Sequence, residues 1–193
     1  MAIIGVLVAV VLASLNSARA KGTEAAIKSN LKNMIPQAEL TYDTPGNYST
    51  ACAGVAGMLI AITNAGGTAA CYTYDNTRWG VSVKLNSDST KNWAVDGNGV
   101  VTWDTTDASG SPLNWATANT TCAGLGSRLP SIEELKALSL TYSSTTPPSF
   151  QVNGYWSSIT DSSVSTNAYY VVMSYGGLLS GIKTNTYYVR CVH

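Results

Sequence analysis

The chain has 193 residues, and its 11 basic and 11 acidic side chains cancel to a net charge of zero. This length is enough for one large or two small domains with a real core. A nucleic-acid-binding protein needs a basic face, which this composition does not supply, so we expect no nucleic-acid partner. Only 11% of the residues are charged. The polar remainder is rich in Ser, Thr, Asn and Gly, which is typical of a secreted or cell-surface protein.

The first predicted element is one long helix over residues 1–42. Its first half, residues 2–15, is an uncharged apolar run. In its second half Ile27, Leu31 and Ile35 recur at intervals of four, which is the spacing of one helix face. Turn-forming residues collect after position 42, so the helix should end there. The sequence therefore predicts a helix that is apolar along its first half and amphipathic along its second.

The apolar run needs a partner that covers it, and two simple explanations each meet a difficulty. Its 14 residues would extend about 21 Å as a helix, which is less than the roughly 30 Å of a bilayer core. Residues 18–20 have the small-x-small form of a signal-peptide cleavage site, with cleavage after Ala20. A signal peptide also needs a basic segment before its apolar core, and only Met1 precedes this one.

The run resembles the N-terminal helix of type IV pilins and of the related pseudopilins, whose apolar segment ends in the same Ala-Ile-Ile-Gly sequence as residues 2–5. In that family a short basic leader is removed before the apolar segment. The resemblance implies that Met1 is an internal codon. The leader and about nine or ten further residues, including an assembly glutamate, are then expected upstream. With them the apolar segment would have about 23 residues, enough to cross a bilayer.

The resemblance also implies a function for this helix. It would hold the subunit in the inner membrane before assembly and then pack against other copies of the chain in a helical homopolymer, an extracellular pilus on the cell surface. The alternatives are a pseudopilin of a secretion system and a secreted carbohydrate-binding or adhesive module cleaved at Ala20. The residues expected to form the membrane and assembly surface are Ile3, Ile4, Val6, Leu7, Val10, Val11, Leu12 and Leu15.

The four cysteines, Cys52, Cys71, Cys122 and Cys191, are even in number and show no C-x-x-C spacing. This pattern predicts disulfides in an oxidising compartment and no metal site. Three connectivities are open. Pairing by segment, which joins Cys52 to Cys71 and Cys122 to Cys191, is favoured because each bond then closes one structural unit.

Residues 43–104 are expected to form a β region behind the long helix, as in pilins. A short second helix is predicted over residues 51–62. From Cys71 onward apolar and polar residues alternate, which predicts strands over residues 72–74, 79–85, 92–96 and 100–103 joined as an antiparallel meander. Residues 104–112 are turn formers and are expected to be a linker. The predicted fold class is α+β, with the long helix packed on this small antiparallel sheet.

The last part of the chain, residues 113–193, carries an ordered set of short motifs. They lie at residues 115–122, 127–135, 154–158, 168–172 and 187–192. Together they resemble the Lcl-type C-terminal domain, which is similar in fold to C-type lectins and to the sulfatase-modifying formylglycine-generating domains. The resemblance implies a lectin-like α+β domain in which Cys122 of the first helix pairs with Cys191 of the last strand, in agreement with pairing by segment.

The sequence offers little for catalysis, and no enzyme activity or cofactor is expected. His193 ends the chain with no carboxylate or nucleophile implied beside it. Glu133 and Glu134 begin a predicted helix, and Ser131 has capping-box spacing to Glu134. The calcium motifs of sugar-binding C-type lectins are missing, so the fold alone does not establish sugar binding.

Tyrosine and tryptophan are the abundant aromatic residues, 11 and five against one phenylalanine. Both keep a polar tip that can contact water or a partner. In strands, neighbouring side chains point to opposite faces, so about half of the strand tyrosines should lie in the core. The candidate contacts with a surface glycan, a protein ligand or a neighbouring subunit are Trp156, Tyr169, Tyr170 and Tyr187.

Overall fold

The computed structural model describes residues 2–42, 46–142, 147 and 149–193, and for residues 2–7 it describes the backbone only. The fold is α+β, as predicted. A long N-terminal helix and four shorter helices accompany one four-stranded and one three-stranded antiparallel sheet in the described ranges.

Helix α1 (Ala2–Tyr42) ends where the sequence predicts. Its second half packs because apolar residues recur at helical spacing: Ile27, Leu31, Met34 and Ala38 are all fully buried. They form one core with the first sheet and with the two short helices that follow. Ile35, which the periodicity also pointed to, packs at the edge of this core and is only partly buried.

The predicted second helix over residues 51–62 is divided in two. Helix α2 (Ala51–Gly54) and helix α3 (Ala56–Asn64) are separated by Val55, whose backbone leaves the helical region. Val55 is fully buried in the core beneath α1. A bend at this residue lets both short helices follow the surface of α1, which a single straight helix would leave.

The first sheet is a meander of four strands in sequence order: β1 (Gly67–Tyr74), β2 (Arg78–Leu85), β3 (Asp88–Asp96) and β4 (Gly99–Thr102). All neighbouring strands are antiparallel, as the alternating pattern predicts. Strand β2 lies inside the sheet and is almost entirely buried. Its Val81 and Val83 face the core shared with α1.

Residues 104–112, predicted as a linker, are held against the end of the chain. The backbone N–H of Asp104 donates to the Cys191 carbonyl at 3.1 Å, and that of Ala108 donates to the Val189 carbonyl at 2.9 Å. The end of the chain was itself predicted as a strand. It makes isolated bridges to Trp103, Leu113, Arg128 and Tyr155 in place of a continuous ladder.

Two helices follow. Helix α4 (Trp115–Gly124) begins at Asn114, whose side chain accepts a hydrogen bond from the Thr117 N–H. Helix α5 (Ile132–Thr141) begins with the predicted capping box between Ser131 and Glu134. Its side chains are buried almost throughout, because α5 is covered on both sides by the two sheets.

The second sheet is formed by β5 (Gly154–Thr160), β6 (Asn167–Val172) and β7 (Gly177–Ile182), all antiparallel and in sequence order. Helix α5 contacts both this sheet and the first. It approaches β2 so closely that a Cβ on Gly80 would lie 2.7 Å from the Glu133 Cβ. A glycine at position 80 is therefore what allows α5 to rest directly on the first sheet.

Candidate assembly surface and candidate ligand face

Residues 8–15 of α1 extend beyond the core as an exposed apolar segment. Val10 and Val11 are each 62% exposed, and Leu12 is 53% exposed. Val8 and Leu15 are exposed to a similar degree. Ile3, Ile4, Val6 and Leu7, which the sequence assigns to the same surface, lie in the segment whose side chains are outside the described residues. Exposed apolar patches are common at interaction surfaces, because water solvates them poorly.

The described part of α1 changes character between residues 20 and 27. Glu24 forms an ion pair with Lys91, and the Lys28 ammonium lies 5.4 Å from the centre of the Trp93 ring. Among the residues of α1 whose side chains are described, Ile27 is the first that is fully buried. Among the residues that the structure describes, no helix has the length and apolar character needed to cross a membrane.

Both disulfides have the connectivity predicted by segment. Cys52 pairs with Cys71, with their Cα atoms 5.7 Å apart, and Cys122 pairs with Cys191 at 5.6 Å. The first bond ties α2 to β1, and the second ties α4 to the last residues of the chain. The other two connectivities that the sequence left open are thereby excluded.

Among the predicted aromatic contact residues, Trp156 is buried, whereas Tyr170 and Tyr187 form a stacked, half-buried pair. Trp156 is fully buried, and its Nε1 donates to the Leu113 carbonyl at 2.8 Å. It therefore offers no surface to a ligand. Tyr170 and Tyr187 stack with ring centres 3.9 Å apart and each meet Trp156 edge-on. Burial, followed by the contact with Tyr187, raises the pKa of Tyr170 to about 12.

Tyr169 is not part of the Tyr170 and Tyr187 pair. It points to the opposite face of β6 from Tyr170, as strand alternation requires. Its ring centre lies 5.6 Å from that of Tyr74 in β1. Tyr169 thus helps to join the two sheets, and the half-buried pair of Tyr170 and Tyr187 is the part of the predicted set that forms one surface.

A buried ionic network was not found by sequence reasoning. The Arg190 Nε donates to Asp107 Oδ1 at 2.9 Å, and the Tyr155 hydroxyl donates to the same carboxylate at 3.0 Å. Arg190 is 1% exposed, and its guanidinium lies 4.0 Å from the centre of the Phe150 ring. Asp107 comes from the stretch predicted as a linker, where nothing in the local sequence indicates a buried partner 83 residues away.

The remaining titratable candidates are accounted for by local structure, with one exception. His193 is exposed, and the expectation that no carboxylate lies beside it is wrong, because its Nδ1 is 3.1 Å from Asp104 Oδ1. Glu134 is fully buried and accepts two hydrogen bonds from Arg128, at 2.7 and 2.9 Å. No group of three His, Cys, Asp or Glu in the described part of the chain could hold a metal ion. Glu133 is the exception, because it is 1% exposed and its Oε1 has no hydrogen-bond partner among the described residues.

The fold and these surfaces define an α+β protein with a disulfide-closed C-terminal half and an N-terminal helix that is apolar and exposed over residues 8–15. The chain belongs to the Lcl C-terminal domain family, whose model matches residues 92–193, just over half of its length. No curated protein matches the chain. A domain of this family indicates an extracellular adhesive or lectin-like module. The match begins in β3 and includes all of the second sheet.

Proposed function

We propose that this protein is a structural subunit of a type IV pilus-like extracellular filament that displays its lectin-like domain outward. Other copies of the chain are its principal partners, and the membrane holds it before assembly. The half-buried pair of Tyr170 and Tyr187 belongs to the outward part and is the candidate contact for a surface glycan or a protein ligand. The proposed work is structural and adhesive, without catalysis.

The observation that carries the proposal is the division of α1 into two halves. Ile27, Leu31, Met34 and Ala38 are fully buried in the protein's own core, whereas the large apolar residues between Val8 and Leu15 are exposed. A helix that is half anchored and half projecting has one surface left to bury against another molecule. Identical helices can satisfy one another by repeated head-to-tail contacts that do not close into a ring.

The magnitude of this burial is sufficient for assembly. Covering one face of the apolar half would remove several hundred Å² from water, on the order of 10 kcal/mol at about 25 cal/mol per Å² before the costs of ordering. The four basic residues that follow, Arg19, Lys21, Lys28 and Lys32, lie near the point where the helix enters the core. They suit contact with acidic headgroups or with carboxylates of neighbouring subunits.

A pseudopilin shares the helix and would differ in forming a short structure inside a secretion system. A secreted adhesive module cleaved after Ala20 is favoured by a separate observation. Cleavage there would leave Glu24, Ile27 and every later core residue of α1 in place. The globular part therefore offers no obstacle to losing the apolar half.

The filament and the cleaved module give different N-termini and different particles. Extracellular protein should be imaged by electron microscopy, and its N-terminal peptides should be sequenced. We expect filaments whose subunits retain residues 3–15, because that surface is what assembles. Soluble monomers that begin at Lys21 would contradict the filament and support the cleaved module.

A further inference from the structure

Strand β7 forms one side of the second sheet, and within the described residues no further strand lies beside it. Its Leu179 and Ile182 are 42% and 53% exposed. Ser180, which lies between them, is exposed as well. The outer side of β7 is therefore a sheet edge that is open to solvent.

The protein covers the comparable edges of β4 and β5 with the end of its own chain. Thr102 of β4 exchanges two backbone hydrogen bonds with His193, at 2.7 and 3.1 Å, and Gly154 of β5 accepts from the Tyr188 N–H at 3.0 Å. Proteins ordinarily cover sheet edges or protect them with charged residues, prolines or bulges, because the unpaired backbone groups attract further strands. Strand β7 contains no charged residue and no proline, and its pairing with β6 shows no bulge. It carries none of these protections.

Three residues of β7 direct their backbone groups away from β6. The Lys183 N–H donates to the Thr166 carbonyl at 2.9 Å, and the regular register then makes Leu178, Ser180 and Ile182 the outward residues. The Ile182 carbonyl accepts a hydrogen bond from the turn that follows β7. The three outward N–H groups and the carbonyls of Leu178 and Ser180 make no hydrogen bond within the described residues. Donors and acceptors that alternate in this way fit another extended chain, so the occupant of the edge is a β-strand.

The sequence of β7 is self-complementary about Ser180. Two copies that pair antiparallel, with Ser180 opposite its own counterpart, use all the outward residues of both strands. In this register Leu178 lies opposite Ile182 of the second copy, which makes an apolar cross-strand pair. On the other face Leu179 lies opposite Gly181, so that a large side chain meets a small residue. The match of both flanking pairs favours a second copy of the chain over an unrelated strand.

The stacked tyrosines lie beside the position that Leu179 of the second copy would take. A Cβ on Gly181 would lie 3.1 Å from Tyr170 Cε1 and 3.3 Å from the Tyr187 hydroxyl. Leu179 of the second copy, opposite Gly181, would therefore lie next to these rings. The pairing would cover part of the half-buried tyrosine pair with apolar surface.

The charges near β7 do not oppose this pairing. Lys183 directly follows β7, and an antiparallel pair places its two copies at opposite ends, about 20 Å apart, which exceeds the screening length of about 8 Å at physiological salt. The Lys183 ammonium also donates to the Ser165 carbonyl at 2.8 Å and lies 4.6 Å from the centre of the Trp115 ring. Asp161, which accepts from the Ser180 hydroxyl, is only 8% exposed and offers little surface to a second copy.

We propose that β7 is a self-association edge, at which two copies of the chain pair antiparallel and join their second sheets into one. A contact through one strand of six residues is smaller than the roughly 20 to 30 residues per side of a stable interface, so it is weak between free subunits. Two filaments that each carry many copies would strengthen it by multivalency and associate side by side. This consequence rests on the proposed function, whereas the pairing of two subunits does not.

The test is sedimentation equilibrium of the full chain in detergent micelles. The detergent covers the apolar half of α1 and leaves the edge of β7 free. We expect a reversible equilibrium between monomer and dimer, with a Kd on the order of 100 μM. Subunits that remain monomeric up to about 1 mM would overturn the proposal.

Two substitutions alter the edge in different ways. Ile182→Arg places a charge opposite Leu178 of the second copy and should weaken the dimer roughly 10-fold or more. Ser180→Pro removes an outward N–H that makes no hydrogen bond within the described residues, and it should weaken the dimer to a similar degree. Ile60→Arg, at a residue on α3 that is 63% exposed, is the matched control and should leave the Kd unchanged. If Ser180→Pro does not fold, Ile182→Arg decides alone, and an unaltered Kd in the folded β7 variants would contradict the site.

Ser180→Cys tests the register of the pair. Opposite residues that exchange hydrogen bonds have Cα atoms about 5.5 Å apart, a distance that a disulfide can bridge. We therefore expect Ser180→Cys to give a disulfide-linked dimer on mild air oxidation. Tyr175→Cys, at a 59% exposed residue just before β7, should not, because its two copies lie roughly 30 Å apart. Equal yields of linked dimer from the two variants would overturn the antiparallel pairing.

Leu12→Arg separates this contact from the assembly of filaments. Leu12 lies in the exposed apolar half of α1, so its substitution should leave the Kd of the dimer in micelles unchanged. Ile182→Arg should weaken the dimer and still permit filaments. A Leu12→Arg protein that loses the dimer would show that α1 joins the two copies, and the assignment to β7 would be wrong.

Discussion

Leu12→Arg is expected to abolish filaments while leaving the folded part of the protein intact. Leu12 is 53% exposed at the centre of the projecting apolar half of α1. An arginine there costs little in the free subunit, because the side chain already meets solvent. In a filament core it would bury an unpaired charge, which costs several kcal/mol per subunit interface. Electron microscopy of extracellular material provides the measurement.

Ile182→Arg is the matched control for this substitution. Ile182 is also 53% exposed, but it ends β7 on the second sheet, far along the chain from the proposed assembly helix. Like Leu12→Arg, the Ile182→Arg substitution replaces an exposed aliphatic side chain with arginine. We expect Ile182→Arg filaments to be as abundant as those of the unmodified protein. Filaments of normal abundance from the Leu12→Arg protein would contradict the assembly role of α1.

Loss of the Cys122–Cys191 disulfide is expected to have the largest effect on stability. The bond closes a separation of 69 residues, and the chain-entropy relation assigns such a loop about 4 kcal/mol. Both half-cystines are fully buried in the core of the C-terminal half. Cys122→Ala with Cys191→Ala should therefore lower the free energy of unfolding by roughly 4 kcal/mol, measured by urea denaturation.

The Cys52–Cys71 bond is the internal comparison. It closes a separation of only 19 residues, for which the same relation gives about 3 kcal/mol. Its alanine double variant should thus be destabilised, but by less than the Cys122 and Cys191 variant. A larger loss at the shorter loop would show that loop closure does not set the contribution of these bonds.

The fold was predictable where one local pattern determines one element. Ile27 and Leu31 at helical spacing placed the packed half of α1, and alternation along residues 79–85 placed β2. The capping box at Ser131 marked the start of α5. The break at Val55 was not predictable, because it follows from the curvature needed to stay against α1. The pairing of residues 104–112 with the end of the chain was also hidden, because it joins positions more than 80 residues apart.

The candidate functional surfaces also differ in whether the sequence alone could predict them. The apolar half of α1 was evident, because 14 consecutive uncharged residues require a partner in any fold. The close approach of Glu133 to Gly80 was not evident, because the two residues come from separate elements and meet only through the packing of α5 on β2. The capping role considered for both glutamates is observed for Glu134. Glu133, its neighbour, is 1% exposed and lies against Gly80 of β2.

Amide hydrogen exchange of residues 8–19 tests the central proposal most directly, because it reports on the apolar helix itself. In dispersed subunits this segment has no tertiary packing and should exchange rapidly, whereas the packed residues 27–38 should exchange slowly. In isolated filaments we predict that residues 8–19 become as protected as residues 27–38, because neighbouring helices cover them. Equally rapid exchange of residues 8–19 in filaments and in dispersed subunits would contradict the account, since the filament would then be held together by another surface.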